Sequence, residues 1–363
     1  MNKKIAIAAS GTGGHVIPAL TIAKALIQKG YQIIWIGTNH GIENKLIDDN
    51  KIIFQQISSS GIRGKKLIYK VIGIFNFIKA IYQTYKIFKL YRPNLSIGFG
   101  GYVSTSVTLV SYIMKINSYV HEANSVCGTA NKINNLFSTK TFETFPDTFR
   151  KKNKIIHSGN PISPSFASIE NPTSKYNKEK ETHNLLIFGG SQGAKFLNEN
   201  IPFALSHFPK NLSIKHIAGE NNVDSVARAY KKFDLKSDVI AFSNNMNELY
   251  DWSDIVISRS GSMTVSELAA SGRASILIPY KYATDNHQLK NAEYLADNNS
   301  TIILQEKISF CEELVNNLNY LFIKQIKIYQ MAINVKSLFP INSTDIILQE
   351  ILSNNEQHNN PSP

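Results

Sequence analysis

A histidine placed directly after two glycines is the first residue in this chain whose surroundings suggest chemistry. Ser10-Gly11-Thr12-Gly13-Gly14-His15 follows a short apolar run and opens a helical pattern that continues through Pro18 and Ala19. Glycines let a backbone approach a phosphate or sugar, and a helix N-terminus offers free N–H groups and the positive end of its dipole. An imidazole at the mouth of such an anion-binding turn is placed to take a proton. A dinucleotide-binding version is disfavoured, because the G-x-G-x-x-G spacing is not met and no acid ends the second strand, which runs WIGTNH. Two further glycine turns have the same form: Gly98-Phe99-Gly100-Gly101-Tyr102 and Gly189-Gly190-Ser191-Gln192-Gly193-Ala194. Three such loops at strand ends exceed what packing requires and point to a phosphate-rich ligand.

The densest run is Ser258-Arg259-Ser260-Gly261-Ser262-Met263-Thr264-Val265-Ser266-Glu267-Leu268. It reads as a strand end, a polar turn and a helix whose first turn carries hydroxyls. Hydroxyls and free N–H groups there suit a pyrophosphate, and Glu267, one turn in, suits a ribose diol; the competing reading is a simple helix cap. Asp285-Asn286-His287-Gln288 opens the next helix and adds the acid, amide and imidazole that sugar hydroxyls require. His121-Glu122-Ala123-Asn124 ends the fifth strand, and Gly159-Asn160-Pro161 reads as a turn rather than a site.

The elements that must position these groups alternate. In the first half, strands are expected at Ile5–Ala9, Gln32–Ile36, Ile52–Ile57, Leu95–Phe99 and Ser118–His121, with helices near 15–29, 41–49, 67–91, 102–114 and 125–136. In the second half, strands are expected at Leu185–Phe188, Ile214–Ile217, Val239–Ala241, Ile255–Ser258 and Ala274–Ile278, each followed by a helical pattern. Such alternation implies an α/β fold of two Rossmann-like, doubly wound parallel-sheet domains, with ligand bound beyond the carboxyl ends of the strands in a cleft. The expected organisation is a first domain over 1–161 and a second over 162–340. A C-terminal helix over 341–353 packs back on the first domain, and 354–363 is a disordered tail. Residues 161–184, with three prolines and little periodicity, read as linker running into the second domain.

Composition bounds the function. The 363 residues are 43% hydrophobic and 18% charged, enough for two buried cores and too apolar for a disordered chain. Two cysteines, Cys127 and Cys311, make neither a disulfide framework nor a metal site, which suits a reducing compartment. No signal-peptide pattern opens the chain, and no run of 18 apolar residues predicts a spanning helix. The net charge of +12 is concentrated: from Lys51 to His121 there are ten Lys and Arg and no Asp or Glu. On helix 67–91, Ile74, Phe77, Ile78, Ile81, Tyr85 and Phe88 form one apolar face, expected to be core. The other side mixes Lys79 and Lys86 with Ile72, Phe75 and Tyr82, a pattern suited to an anionic lipid surface. Nucleic-acid binding is the other use of a basic patch, but no recognised module accompanies it.

Taken in order and spacing, GTGGHVIPAL, GFGGYVS, HEAN, GNP, GGSQGA, SRSGSMTVSELAASG and DNHQLKNA resemble the MurG family, from residue 3 to about 300. The resemblance implies GT-B architecture and inverting transfer of GlcNAc from UDP-GlcNAc to the C4 hydroxyl of MurNAc in undecaprenyl-pyrophosphoryl-MurNAc-pentapeptide. That is a step of peptidoglycan synthesis at the cytoplasmic face of the inner membrane, beside other cell-wall and division proteins. It implies His15 and Glu122 as candidate catalytic residues, His15 either as base or as partner of the acceptor diphosphate near Gly100, Gly101 and Tyr102. Donor contacts would come from Thr12, Gly13, Gly14, Asn124, Ser163, Ser191, Ser262–Glu267 and Gln288. Glu267 would hold the ribose, and backbone near Phe242 and Ser243 the uracil. No cofactor and no obligate metal are implied, since an Asp-x-Asp pattern is missing. Two positions depart from the family: Ala123 replaces a Gln, and Ser163 replaces an Arg near the donor. A missing cation beside a diphosphate costs on the order of 1–3 kcal/mol, unless Arg259 or a Lys stands in. Another GT-B enzyme, such as a glycolipid glucosyltransferase or a UDP-GlcNAc epimerase, is the rival activity. A non-catalytic nucleotide-sugar or lipid-binding scaffold is the rival of another class.

Overall fold

A computed structural model describes residues 3–47, 50–58, 67–149, 153–177, 182–190, 193–208 and 211–357, with backbone alone at 67–71 and 354–357. The chain divides into two compact units, 1–162 with 340–363, and 163–339. The first unit runs β1 (Lys4–Ala8), α1 (Gly13–Gln28), β2 (Gln32–Gly37), α2 (Glu43–Leu46), β3 (Ile52–Gln56), α3 (Leu67–Tyr91), β4 (Leu95–Gly98), α4 (Gly101–Ile113), β5 (Asn117–Glu122), α5 (Thr129–Phe137), β6 (Lys140–Glu143) and β7 (Ile155–His157). Its strands form one parallel sheet in the order β3-β2-β1-β4-β5-β6-β7.

Strands covered on both faces must be apolar throughout, and Ile5–Ala8 and Ile33–Ile36 are entirely buried. Alternate residues serve opposite layers. Ile5, Ile7, Ile33 and Trp35 pack with α1, and Ala6, Ala8, Ile34 and Ile36 pack with α3 and α4. A last helix of the chain, here α14 after the second unit's α6–α13 below, spans Ser343–Gln357 and buries Ile347, Leu348 and Ile351 in the α1 layer.

The second unit runs α6 (Pro172–Lys175), β8 (His183–Phe188), α7 (Lys195–Leu205), β9 (Leu212–Ile217), α8 (Val223–Lys232), β10 (Ser237–Ile240), α9 (Met246–Trp252), β11 (Ile255–Ser258), α10 (Ser262–Ser271), β12 (Ala274–Leu277), α11 (His287–Asp297), β13 (Thr301–Ile303), α12 (Phe310–Ile323) and α13 (Gln325–Lys336). Its parallel sheet has the order β10-β9-β8-β11-β12-β13. Strand order reverses between β1 and β4 in one sheet and between β8 and β11 in the other. Within each sheet the two loops leaving those strands therefore flank the position where such a sheet binds its ligand. Across the two sheets they are the three glycine turns and the Ser260–Gly261 turn.

Several sequence expectations need correction. Strands β6, β7 and β13 were not anticipated; they hold only three or four residues each, and β7 and β13 are sheet edges. The helix expected over 41–49 shrinks to α2, and residues 48–49 lie outside the described residues. The helix expected from 125 begins at Thr129, because 125–128 form a turn. Residues 161–184 are not a plain linker: they hold a 3-10 turn at Pro164–Ser168, α6 and the start of β8. These short elements are fixed by polar contacts rather than by apolar periodicity. Asn171 caps α6, Lys175 donates to the carbonyl of Asp251, and Tyr176 donates to the carbonyl of Asp254. At the chain end, helical backbone continues through Gln357, into the stretch expected to be disordered.

The apolar face assigned to α3 is also wrong in part. Ala80, Thr84, Ile87 and Phe88 are buried, whereas Ile74 and Ile78 are exposed along with Ile72, Phe75 and Tyr82. The small residues Ala80 and Thr84 allow α3 close to α4, where Thr84 Oγ1 meets Ser106 Oγ at 3.2 Å. That turns the larger Ile74 and Ile78 outward.

Candidate functional site

In the first unit, β1 delivers the chain into the Gly11–Gly14 turn. Gly11 takes a φ of 93°, a backbone region open to glycine. Thr12 is the N-cap of α1 but makes no side-chain cap, so the helix presents its first N–H groups without one. A residue that the sequence reading missed holds this turn. Glu43 is fully buried, and its carboxylate accepts from the Gly11 N–H (3.1 Å), the Thr38 N–H (2.9 Å) and the Thr38 hydroxyl (3.0 Å). Gly41 is required beside it, since a Cβ there would overlap Glu43 Oε2.

The turn after β4 meets the first. Gly100, the N-cap of α4, has φ 95°, and a Cβ on it would lie 3.0 Å from His15 Nε2 and 3.5 Å from Asn131 Nδ2. His15 thus lies against the N-terminus of α4 as well as belonging to the first turn of its own helix, α1. Tyr102 follows in the first turn of α4 and is half-buried.

Glu122, at the end of β5, is buried and collects donors. Oε1 accepts from the N–H (3.0 Å) and side-chain amide (3.3 Å) of Asn124, and Oε2 from the Gly128 N–H (3.0 Å) and Asn131 Nδ2 (2.9 Å). A carboxylate bound this way shapes the 123–128 turn. Asn131 also donates to the His121 carbonyl (3.0 Å), and Asn134 donates to Ser104 Oγ (2.9 Å), tying α5 to β5 and α4. These two asparagines were missed; their i, i+3 spacing just beyond HEAN was the available signal. Burial lowers the His121 pKa to about 4, opposed by its hydrogen bond to the Gly159 carbonyl, so His121 is neutral at pH 7. Ala123 is buried and offers no polar group. Gly159 is a turn with φ 73°, where a Cβ would meet Ser343 Oγ and Pro340.

In the second unit, Gly193 has φ 75°, and a Cβ on it would lie 2.1 Å from the Ala218 carbonyl oxygen. Ser191 and Gln192 fall outside the described residues. Helix α10 begins after Gly261, which has no side chain to cap it, and its first turn carries Ser262, Met263 and Thr264. The Val265 side chain is core, and its N–H donates to the Gly261 carbonyl. The Ser266 hydroxyl donates back to the Ser262 carbonyl at 2.8 Å. Glu267, partly buried, accepts from the Tyr250 hydroxyl at 3.1 Å. Desolvation pushes its carboxyl up to about 7, with the Tyr250 hydrogen bond acting in the opposite direction.

Gln288 lies in the first turn of α11, where its Oε1 accepts from the Tyr280 N–H at 3.0 Å. Ser260 fixes that helix to the α10 turn, donating to the Gln288 carbonyl (2.7 Å) and accepting from Asn291 (3.1 Å) at its own carbonyl. Asp285 and Asn286 both take positive φ, and both are exposed. Phe242 is exposed, and Ser243 Oγ accepts from the Asn245 N–H. Ser163 caps the Pro164–Ser168 turn with its hydroxyl. Arg259 does not replace the cation missing at position 163. It is buried, donates to the carbonyls of Ile278 and Pro279, and pairs with Glu306.

The chain matches the glycosyltransferase family 28 N-terminal domain over residues 5–143 and the family's C-terminal domain over 184–343. Two parallel-sheet α/β domains with these matches define a GT-B glycosyltransferase. The structure is similar to a crystal structure of MurG from Acinetobacter baumannii, with a TM-score of 0.84 and 32% identity over 97% of this chain and 99% of that one. In sequence it is 41% identical to a UDP-N-acetylglucosamine–N-acetylmuramyl-(pentapeptide) pyrophosphoryl-undecaprenol N-acetylglucosamine transferase of Vesicomyosocius okutanii, over 89% of this chain and 91% of the relative. A relative of the same name from Pseudomonas savastanoi is 33% identical over 96% and 98%. The chain belongs to the MurG family.

Proposed function

We infer that this chain transfers GlcNAc from UDP-GlcNAc to the C4 hydroxyl of MurNAc in undecaprenyl-pyrophosphoryl-MurNAc-pentapeptide, with inversion, converting lipid I to lipid II. The observation that carries the donor half is α10: an uncapped helix N-terminus with an acid one turn in, accepting a single hydrogen bond. The amides of Ser262–Thr264 take the pyrophosphate, a role the resemblance also gives to Ser191, and Glu267 takes the ribose diol. Backbone at Phe242 and Ser243 takes the uracil and Gln288 the sugar, and the resemblance assigns a sugar contact to Asn124 of the first unit. Leaving UDP is stabilised by oriented amides, which require no reorganisation as charge develops.

The first unit receives the acceptor. Its diphosphate lies at the N-termini of α1 and α4, among Gly13, Gly14, Gly100, Gly101 and Tyr102. His15, placed between those helix ends, removes the C4 proton. Glu122 acts by shaping the Asn124 turn. Among the described residues no helix is long and apolar enough to cross a membrane. The acceptor's lipid is met instead by α3, where exposed Ile72, Ile74, Phe75, Ile78 and Tyr82 stand among Lys79 and Lys86. Lys86 Nζ lies 4.6 Å from the Tyr82 ring, so cation and aromatic form one amphipathic surface suited to anionic phospholipid at the cytoplasmic face.

Incubation with radiolabelled UDP-GlcNAc and a lipid-linked MurNAc acceptor tests the reading. Labelled lipid-linked disaccharide is expected; hydrolysis of the donor alone, or binding without turnover, would refute it. Replacing Ile72, Phe75 and Tyr82 together by Ser is expected to release the protein from anionic vesicles while soluble acceptor analogues are still used. Unchanged vesicle binding would remove α3 from the account.

A further inference from the structure

Glu267 is held from one side by a residue with no contact to any proposed ligand group. Tyr250 lies on α9, is fully buried, and reaches Glu267 Oε2 through its hydroxyl at 3.1 Å. The ring is fixed by Phe166, 5.5 Å away and tilted, and by Phe188, 6.0 Å away and edge-on. Its backbone is fixed too: Arg273 Nε donates to the Tyr250 carbonyl at 2.9 Å, and the same guanidinium reaches the carbonyls of Glu170 and Ser271 and the carboxylate of Asp251. Three elements, the Pro164–Ser168 turn, β8 and α10, therefore converge on one phenol. Phe188 ends β8, so the ring packed edge-on against Tyr250 belongs to the strand that leads into the Gly189–Gly190 turn.

We propose that the Tyr250 hydroxyl is the positioning group that aims the Glu267 carboxylate, occupying Oε2 and leaving Oε1 for a ribose hydroxyl. This rests on the reading that Glu267 binds the ribose diol. A glutamate has three side-chain torsions, and an unanchored one at a helix surface samples several rotamers. A donor of fixed position selects one of them, so less ordering remains to be done when the nucleotide arrives. The hydrogen bond also favours the ionised carboxylate, the form that accepts two hydroxyl donors best. Besides Tyr250, the ionisable groups on helices packed against α10 are Glu248 and Asp251 on α9, His287, Lys290, Glu293, Tyr294 and Asp297 on α11, and Lys327, Tyr329 and Lys336 on α13. Asp251 is taken by Arg273, and Lys290 by Glu293. Tyr250 is the group whose hydrogen bond acts on Glu267.

The full chain with Tyr250→Phe is titrated calorimetrically with UDP and with 2′-deoxy-UDP between pH 6 and 9. The ribose hydroxyl is expected to give the wild type about a ten-fold preference for UDP. Tyr250→Phe should shrink that preference to about two-fold and move the pH midpoint of UDP binding upward. It should raise the donor KM with little change in kcat, a pattern that loosened packing would not produce. An undiminished preference with an unmoved midpoint overturns the proposal. Glu267→Gln separates the two ideas: if it leaves the UDP preference intact, the ribose contact lies elsewhere and the underlying reading falls first. Should Tyr250→Phe fold poorly, 3-fluorotyrosine at position 250 decides the matter. It keeps the ring and strengthens the donor, and so should shift the midpoint downward; no shift would refute the positioning role.

Discussion

In the first unit, the turns around the proposed acceptor site are held by buried carboxylates. In the second, the turns around the proposed donor site are held by buried cations. Glu43 and Glu122 gather backbone N–H groups of Gly11, Thr38, Asn124 and Gly128. Arg259, Arg273 and Lys175 gather backbone carbonyls of Ile278, Pro279, Tyr250, Glu170 and Asp251. The second set is balanced by Glu306, Asp251 and Asp254, whereas Glu43 and Glu122 are satisfied by neutral donors. Both arrangements leave helix N-termini without side-chain caps. The two kinds of anchor differ in what their loss exposes: backbone N–H groups in the first unit, backbone carbonyls in the second.

The largest expected effect separates the two roles open to His15. With a soluble acceptor analogue, His15→Gln should lower kcat by about 10²–10⁴-fold, the range for losing a general base, with acceptor KM little changed. A raised acceptor KM with kcat intact would instead make His15 a diphosphate ligand, and the first unit a binding surface without its own proton acceptor.

Next come the anchors themselves. Glu43→Ala leaves two N–H donors and a hydroxyl, all partly buried, without their acceptor, and should destabilise the first unit by about 3 kcal/mol. Arg273→Met should cost the second unit a similar amount, about 3 kcal/mol, by orphaning carbonyls at both ends of the α9–α10 brace. Calorimetry combined with amide exchange assigns each loss to a unit. Loss of UDP affinity should follow Arg273→Met far more than Glu43→Ala; equal losses would show that the anchors are not specific to their turns.

The parts of this molecule that were legible from sequence share a physical property. Strands β1, β2, β4, β8 and β11 are buried on both faces, so their apolar runs announce them, and the glycine turns between them carry backbone demands that few other residues meet. What was missed acts through single polar contacts. Glu43 lies in a four-residue helix, and nothing in its neighbours' periodicity marks it as buried. Tyr250 and Arg273 lie outside every motif singled out in the sequence, and their roles arise from contacts 17 and 23 residues apart. The face of α3 was misread because a wheel weights Ile above Thr and Ala. Here the approach of α4 selects the small residues for the interior.

Acidification should produce the smallest effect and divide the units by sign. Burial lowers the His121 pKa from 6.5 to about 4 in the first unit, and lowers that of His157 there as well. In the second unit burial lowers the His216 pKa to about 3. A depressed histidine contributes stability that is complete above 6.5 and lost as pH falls toward the folded value, so both units weaken below pH 6.5. Glu267 runs the other way. Its carboxyl is raised from 4.5 to about 7, so its contribution is complete below 4.5 and disappears as pH rises through 7. Acidifying from 7.5 to 5 therefore restores part of what His216 loses in the second unit, and nothing comparable offsets His121 and His157 in the first. Amide exchange, corrected for intrinsic rates, should show protection falling sooner in the first unit. Over the same interval UDP affinity should weaken, because protonated Glu267 is a poorer acceptor for a ribose diol. Earlier opening of the second unit would mean that His216 outweighs Glu267, and stronger UDP binding at pH 5 would remove Glu267 from the ribose.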